Sequence, residues 1–152
     1  MKVEEVKNLF IEKGLTLGSV ESFTGGLFAQ TITSISGASK FYKGGLVTYA
    51  TEEKMRLLKI DKDLIDEFGV VSKEIAFRMA NNAKHRLNVD VCVSFTGNAG
   101  PEAMEGKPVG EVYIGIIYNG TCEVFSLNLI GSRKEIQQQA VDFALEKLLK
   151  KI

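Results

Sequence analysis

Leu15-Thr16-Leu17-Gly18-Ser19-Val20, then Glu21-Ser22-Phe23-Thr24-Gly25-Gly26, then the apolar run from Leu27 to Ile35 is the stretch on which the reading of the fold turns. Residues 15–20 favour a short strand, Gly25-Gly26 a tight turn, and the run after them a buried helix. The segment therefore reads as strand, glycine turn, helix, the junction from which α/β folds are assembled. Upstream, Val3, Val6 and Phe10 recur at spacings of three and four and Gly14 follows, which predicts an amphipathic helix stopped by a left-handed glycine.

Downstream, a polar stretch from Ser34 to Ser39 leads through Phe41 and Tyr42 into a second expected strand, Gly44 to Ala50. Thr51 is the expected cap of a short helix carrying Glu52 and Glu53 in its first turn, with Lys54 on the same segment. A further short helix is expected over Asp61 to Phe68. Ser72 then suits the N-cap of a long helix marked by Ile75, Met79, Ala83 and Leu87. Val89 to Phe95 reads as a central buried strand, followed by the loop Thr96-Gly97-Asn98-Ala99-Gly100-Pro101 that runs on to Lys107-Pro108. Val109 to Tyr118 and Thr121 to Leu129 flank Asn119-Gly120, a strong hairpin signal that makes part of the sheet antiparallel. Gly131-Ser132 opens a closing helix with Ile136, Ala140, Phe143, Ala144, Leu148 and Leu149 on one face. The alternation predicts an α/β fold, a three-layer α/β/α sandwich with a mixed sheet of about five strands.

With 152 residues the chain has room for one core, so residues 1–152 are read as a single domain. Nineteen Lys plus Arg offset nineteen Asp plus Glu, leaving no overall field to gather nucleic acid or an anionic membrane. A small, locally recognised ligand fits that balance better. Charges interrupt Met1 to Lys7 where a signal peptide needs an apolar stretch, and no apolar run reaches membrane-spanning length, so a cytoplasmic location is expected. Cys92 and Cys122 form no CxxC pair and have no His at ligand spacing; both read as reduced strand thiols, and no metal site is expected.

Ligands of open α/β sheets collect beyond the carboxyl ends of the strands. Two loops qualify here, the one after Val20 and the one after Phe95. Ser22 precedes Gly25-Gly26, so its hydroxyl can face a crevice while nearby backbone N–H groups point at developing negative charge, the arrangement of a nucleophile beside an oxyanion hole. On local sequence alone a serine that only caps the helix is the commoner reading. A nucleophilic serine needs a base, yet the single histidine, His85, falls late in the long helix and reads as a surface residue near its C-terminus. A lysine with a lowered pKa can replace it, although spacing does not select Lys54 from the other basic residues.

Several separated segments together resemble the CinA C-terminal domain family of nicotinamide mononucleotide amidohydrolases. They are Glu21 to Gly26, Gly37-Ala38-Ser39, Gly44 to Tyr49 with Lys54, Gly69 to Ser72, Thr96 to Pro101, Lys107 to Gly110, and Gly131-Ser132-Arg133. The resemblance runs nearly end to end and implies the same α/β/α sandwich with a mixed, mostly parallel sheet of about five strands and one antiparallel strand. It implies that Ser22 is the nucleophile and Lys54 its base, with Ser39, Tyr49 and Thr96 lining the site, and that neither a metal nor an organic cofactor takes part.

Backbone N–H groups over Phe23, Thr24, Gly25 and Gly26 are then expected to hold the oxyanion, and helix N-termini near Gly25-Gly26 or Ser72, with Arg133 or Lys107, to hold the phosphate of a small nucleotide substrate. A homodimer is the default expectation for such an enzyme. The chain departs from the family pattern in three places: Phe23 replaces a cysteine, Glu102-Ala103-Met104-Glu105-Gly106 replaces a glycine-rich loop, and Gln137 replaces an arginine. These departures keep a second reading open, a nucleotide-binding or regulatory module without turnover.

Overall fold

The computed structural model describes residues 1–152. Its helices are α1 (Lys2–Lys13), α2 (Leu27–Thr33), α3 (Thr51–Leu58), α4 (Lys62–Phe68), α5 (Lys73–Leu87) and α6 (Arg133–Lys151). The strands are β1 (Leu17–Glu21), β2 (Tyr42–Val47), β3 (Val91–Gly97), β4 (Glu111–Tyr118) and β5 (Thr121–Asn128). They form one sheet in the order β2-β1-β3-β4-β5. β1 pairs in parallel with β2 and with β3, whereas β4 pairs antiparallel with both β3 and β5. Four strands therefore share a direction and β4 alone opposes them, as the sequence predicted.

Side-chain alternation along the strands sorts the core into two layers. One cluster joins Leu17, Val91, Val93 and Phe95 to α1, α2 and α6; the other joins Val20, Cys92 and Ile117 to α3, α4 and α5. β1 and β3 are buried along their whole length, the pattern of strands covered on both faces.

The local signals for the ends of elements mostly match the structure. Gly14 caps α1 in the left-handed conformation, Ser72 Oγ accepts from the Ile75 N–H, and Ser132 with Glu135 closes a capping box on α6. Asn119 and Gly120 both have positive φ, 54° and 79°, as a primed hairpin turn requires. Two expectations need correction. Thr51 does not cap α3: Ala50 occupies the cap without a side-chain bond, and Thr51 is the first helical residue. β2 begins at Tyr42 and stops at Val47, so Thr48, Tyr49 and Ala50 lie beyond the strand, although the Thr48 N–H still donates to the Glu21 carbonyl. The Thr48 and Tyr49 carbonyls are turned toward Lys54, and the Ala50 carbonyl accepts from the Glu53 N–H. No helix is long and apolar enough to cross a membrane.

The loop between β3 and β4 is held from within. The Asn98 N–H donates to the Glu111 carbonyl and the Asn98 carbonyl accepts from Gly110, while its side chain binds the Gly100 N–H and the Lys107 carbonyl. Gly110 has φ +93°, and a Cβ there would stand 1.9 Å from the Leu129 carbonyl oxygen. Gly110→Ala should therefore cost roughly 3 kcal/mol by backbone strain and overpacking. At Gly120 the φ is also positive, but nothing lies within 4 Å of a built Cβ, and Gly120→Ala should cost only about 1 kcal/mol. Urea denaturation of both variants checks this, and equal losses would sink the distinction.

Candidate functional site

The alternation that builds the core also aims the site. Along β1, Leu17, Ser19 and Glu21 share the face toward α1, α2 and α6, so Val20 and the next residue on its side, Ser22, face α3 and α5. The Ser22 N–H donates to the Phe95 carbonyl at 3.0 Å and fixes this serine at the end of the sheet. Glu21, 1% exposed, turns the other way. Its carboxylate accepts from the N–H groups of Gly26, Phe28 and Ala29 at the start of α2, at 3.2, 2.9 and 3.0 Å. A buried carboxylate is tolerated here because it meets several backbone donors and the positive end of the helix.

That bond set decides which amides remain for a ligand. The Gly25 N–H donates to the Ser22 carbonyl, the Leu27 N–H to the Thr24 carbonyl, and Gly26 is held by Glu21. In the turn only the N–H groups of Phe23 and Thr24 have no protein acceptor. The expectation that Gly25 and Gly26 offer donors to a substrate is therefore corrected: their glycines shape the turn, and their amides are spent inside it. Gln137 Nε2 donates to the Phe23 carbonyl at 2.8 Å, so it steadies the same peptide from α6. Phe23 is itself buried in the core beneath the turn while part of it lines the recess above.

Lys54 is 1% exposed. On α3 it shares the inward stripe with Leu58, four residues on, and this placement is the sequence signal that could have singled it out. Its Nζ lies 3.0 Å from Ser22 Oγ and donates to the Thr48 carbonyl at 2.7 Å, with the Tyr49 carbonyl at 3.5 Å. Burial pulls its pKa from 10.5 down to about 8, against the opposing pull of the Glu105 charge. A neutral amine has two N–H groups and one lone pair. With two carbonyls to take the hydrogens, the lone pair is left for the Ser22 hydroxyl.

The remaining expected residues divide. Ser22, Phe23, Tyr49, Gly97, Asn98, Ala99, Met104 and Arg133 border a recess of about 160 Å³. Tyr49 is 61% exposed, and its hydroxyl accepts from Arg133 Nη2 at 2.9 Å, so it stands at the mouth and not within a strand. Arg133 also donates to the Gly100 carbonyl at 2.5 Å, which fixes the guanidinium over the recess. Thr24 is buried and its Oγ1 has no hydrogen-bond partner. Thr96 spends its hydroxyl on the Val70 carbonyl at 2.6 Å, pinning that loop instead of lining the recess.

Ser39 is a correction. It lies exposed in the 3₁₀ turn Ala38–Lys40 ahead of β2, at the end of the sheet opposite Ser22, and cannot reach the recess of its own chain. Sequence reasoning missed Glu21, Asn98, Met104 and Glu105. Nowhere are three or more His, Cys, Asp or Glu side chains gathered where they could hold a metal ion.

Comparison with known proteins agrees with the fold. The family profile of the CinA C-terminal domain matches residues 2–152. A Bacillus subtilis protein named for competence-damage inducibility is 42% identical over 97% of this chain, which covers 36% of that protein; a Bacillus mycoides counterpart is 42% identical over 95%, covering 35%. The chain thus spans about a third of the length of the curated relatives it matches. Among solved structures, the competence damage-inducible protein A of Klebsiella pneumoniae is similar at TM-score 0.97 and 28% identity, over 99% of this chain and 94% of that one. A CinA superfamily protein of Escherichia coli is similar at TM-score 0.97 and 30% identity, over 99% and 88%.

The lowered pKa of Lys54 predicts a pH-dependent stability. The folded chain binds that proton less tightly than the unfolded chain, so the buried ammonium costs stability below about pH 8, and the cost disappears as pH rises toward 10.5. Lys54→Met removes it. The variant should exceed the parent by about 1–3 kcal/mol near pH 6.5, with the gap closing toward pH 10. Denaturant titrations at both pH values check this, and a gap that widens with pH would contradict it.

Proposed function

The chain belongs to the CinA C-terminal domain family, and from that premise we propose that it is an amidohydrolase that converts nicotinamide mononucleotide to nicotinate mononucleotide and ammonia. The observation that carries the reading is Lys54 Nζ, buried and 3.0 Å from Ser22 Oγ, with its lone pair free for the hydroxyl proton when the amine is neutral.

Neutral Lys54 takes the proton of Ser22 as its oxygen attacks the carboxamide carbon. The negative charge that develops on the carbonyl oxygen is met by the N–H groups of Phe23 and Thr24, the two in the turn without acceptors. Protonated Lys54 then gives its proton to the departing nitrogen, and ammonia leaves behind a seryl ester. Water enters, Lys54 removes its proton, and collapse of the second tetrahedral intermediate returns the serine and the free carboxylate. The cationic pyridinium withdraws electrons from the carbonyl and favours both additions.

The size of the recess supports the same choice. At about 160 Å³ it is smaller than the ~300–1,000 Å³ pockets that enclose whole ligands, so it takes the carboxamide-bearing ring and leaves ribose and phosphate at the mouth. There Arg133, already held by Tyr49 and Gly100, retains further N–H groups for the phosphate.

Release of ammonia and nicotinate mononucleotide should survive excess chelator and fall at least about 10³-fold in Ser22→Ala and in Lys54→Ala. The acid limb of kcat/KM should lie near pH 8, where Lys54 loses its proton. Release that persists in Ser22→Ala would overturn the mechanism. Tight nucleotide binding without release in the folded parent would instead favour the regulatory module.

A further inference from the structure

The strap of residues 102–107 borders the recess and is tied down through two of its side chains, Glu105 and Lys107. Glu105 Oε2 accepts from the Val70 N–H at 3.0 Å and Oε1 from the Val71 N–H at 3.1 Å. Lys107 Nζ donates to the Val71 carbonyl at 2.5 Å, so the strap grips the Val70–Val71 backbone through an acceptor and a donor. From the other side Thr96 holds the Val70 carbonyl, which joins this unit to β3. The strap turns back through positive φ at Glu105 and Gly106, closed by mutual backbone bonds between Met104 and Lys107. Gly69 makes room for the carboxylate, since a Cβ there would stand 2.7 Å from Glu105 Oε1. The outcome is that Met104, 42% exposed, forms part of the same recess as Ser22.

We propose that Glu105 is a positioning residue for the reaction, latching the strap to the Val70–Val71 backbone so that Met104 is held as the wall against which the substrate ring packs. The inference rests on the proposed function, because it takes the occupant to be a flat aromatic carboxamide. Methionine suits that wall: its thioether is polarisable and makes favourable contacts with aromatic rings. A flexible loop must be ordered as substrate binds, whereas a strap held in advance has already met that cost. No hydrogen bond joins the strap to Ser22 or Lys54, so the latch acts chiefly on binding. The Glu105 charge also reaches Lys54, whose other close neighbours, the Ser22 hydroxyl and the Thr48 and Tyr49 carbonyls, are uncharged.

Kinetics of Glu105→Ala and Glu105→Gln with nicotinamide mononucleotide from pH 6 to 10, with amide hydrogen exchange at Val70 and Val71, test the latch. Glutamine keeps one acceptor but turns an NH₂ toward the second amide, so it should behave between the parent and alanine. In Glu105→Ala, KM should rise about tenfold and the Val70 and Val71 amides exchange about tenfold faster, with kcat on its high-pH plateau within about threefold. The acid limb should move to lower pH in both variants, a shift that a merely structural residue would not cause. Unchanged exchange, or faster exchange with KM and the acid limb unmoved, overturns the inference. Should Glu105→Ala fail to fold, the glutamine variant is read by the same criteria. A parent that neither binds nor turns over the nucleotide removes the proposed function and this inference with it, whereas unchanged kinetics in an active background removes this inference alone.

Discussion

Everything in the site hangs on the buried carboxylate of Glu21. It sits at the end of β1, a strand paired on both sides, and ties that strand to the first turn of α2 through three backbone amides. The bond has a positional effect beyond its energy. By taking the amides of Gly26, Phe28 and Ala29 it closes the helix terminus to outside anions and leaves the amides of Phe23 and Thr24 as the open donors. Because strand side chains alternate, fixing Glu21 on the α2 face also fixes Ser22 on the opposite face, where α3 presents Lys54. One carboxylate thus sets the direction of the nucleophile and the open donors beside it.

Lys54 answers a different constraint. An ammonium almost free of solvent contact is costly, and the early end of β2 limits that cost by releasing the Thr48 and Tyr49 carbonyls to accept from it. Had β2 continued past Val47, the Thr48 carbonyl would have faced β1 instead. The same burial that costs stability brings the amine toward neutrality near physiological pH, the condition under which it can serve as a base. Phe23 and Gln137 fit the same frame: one side chain fills the core beneath the turn and the other holds its carbonyl, so both support the peptide whose amide stays open.

Order and type of elements were legible because each carries a local signature, such as the apolar spacing of α1 and α5, the Asn119-Gly120 hairpin and the Ser72 and Ser132 caps. Thr51 misled because cap propensity is weak: Ala50 adopts the extended backbone of a cap without contributing a side-chain bond. Ser39 misled for another reason. A sequence segment can match a family pattern while its place relative to the sheet stays unspecified, and only the parallel register of β1 with β2 puts this serine at the far end from Ser22.

By itself the sequence determined the α/β alternation, the lone antiparallel strand, and the pairing of Ser22 with Lys54 through family resemblance. These follow from periodicity, turn chemistry and ordered motifs, which are properties of the chain read along its length. Only the tertiary structure decided which amides of the turn stay open, that Arg133 is held by Tyr49 and Gly100, and that Glu105 clasps a backbone 34 residues away. Those outcomes depend on competition between donors and acceptors brought together by folding, and a competition of that kind has no trace in spacing along the chain.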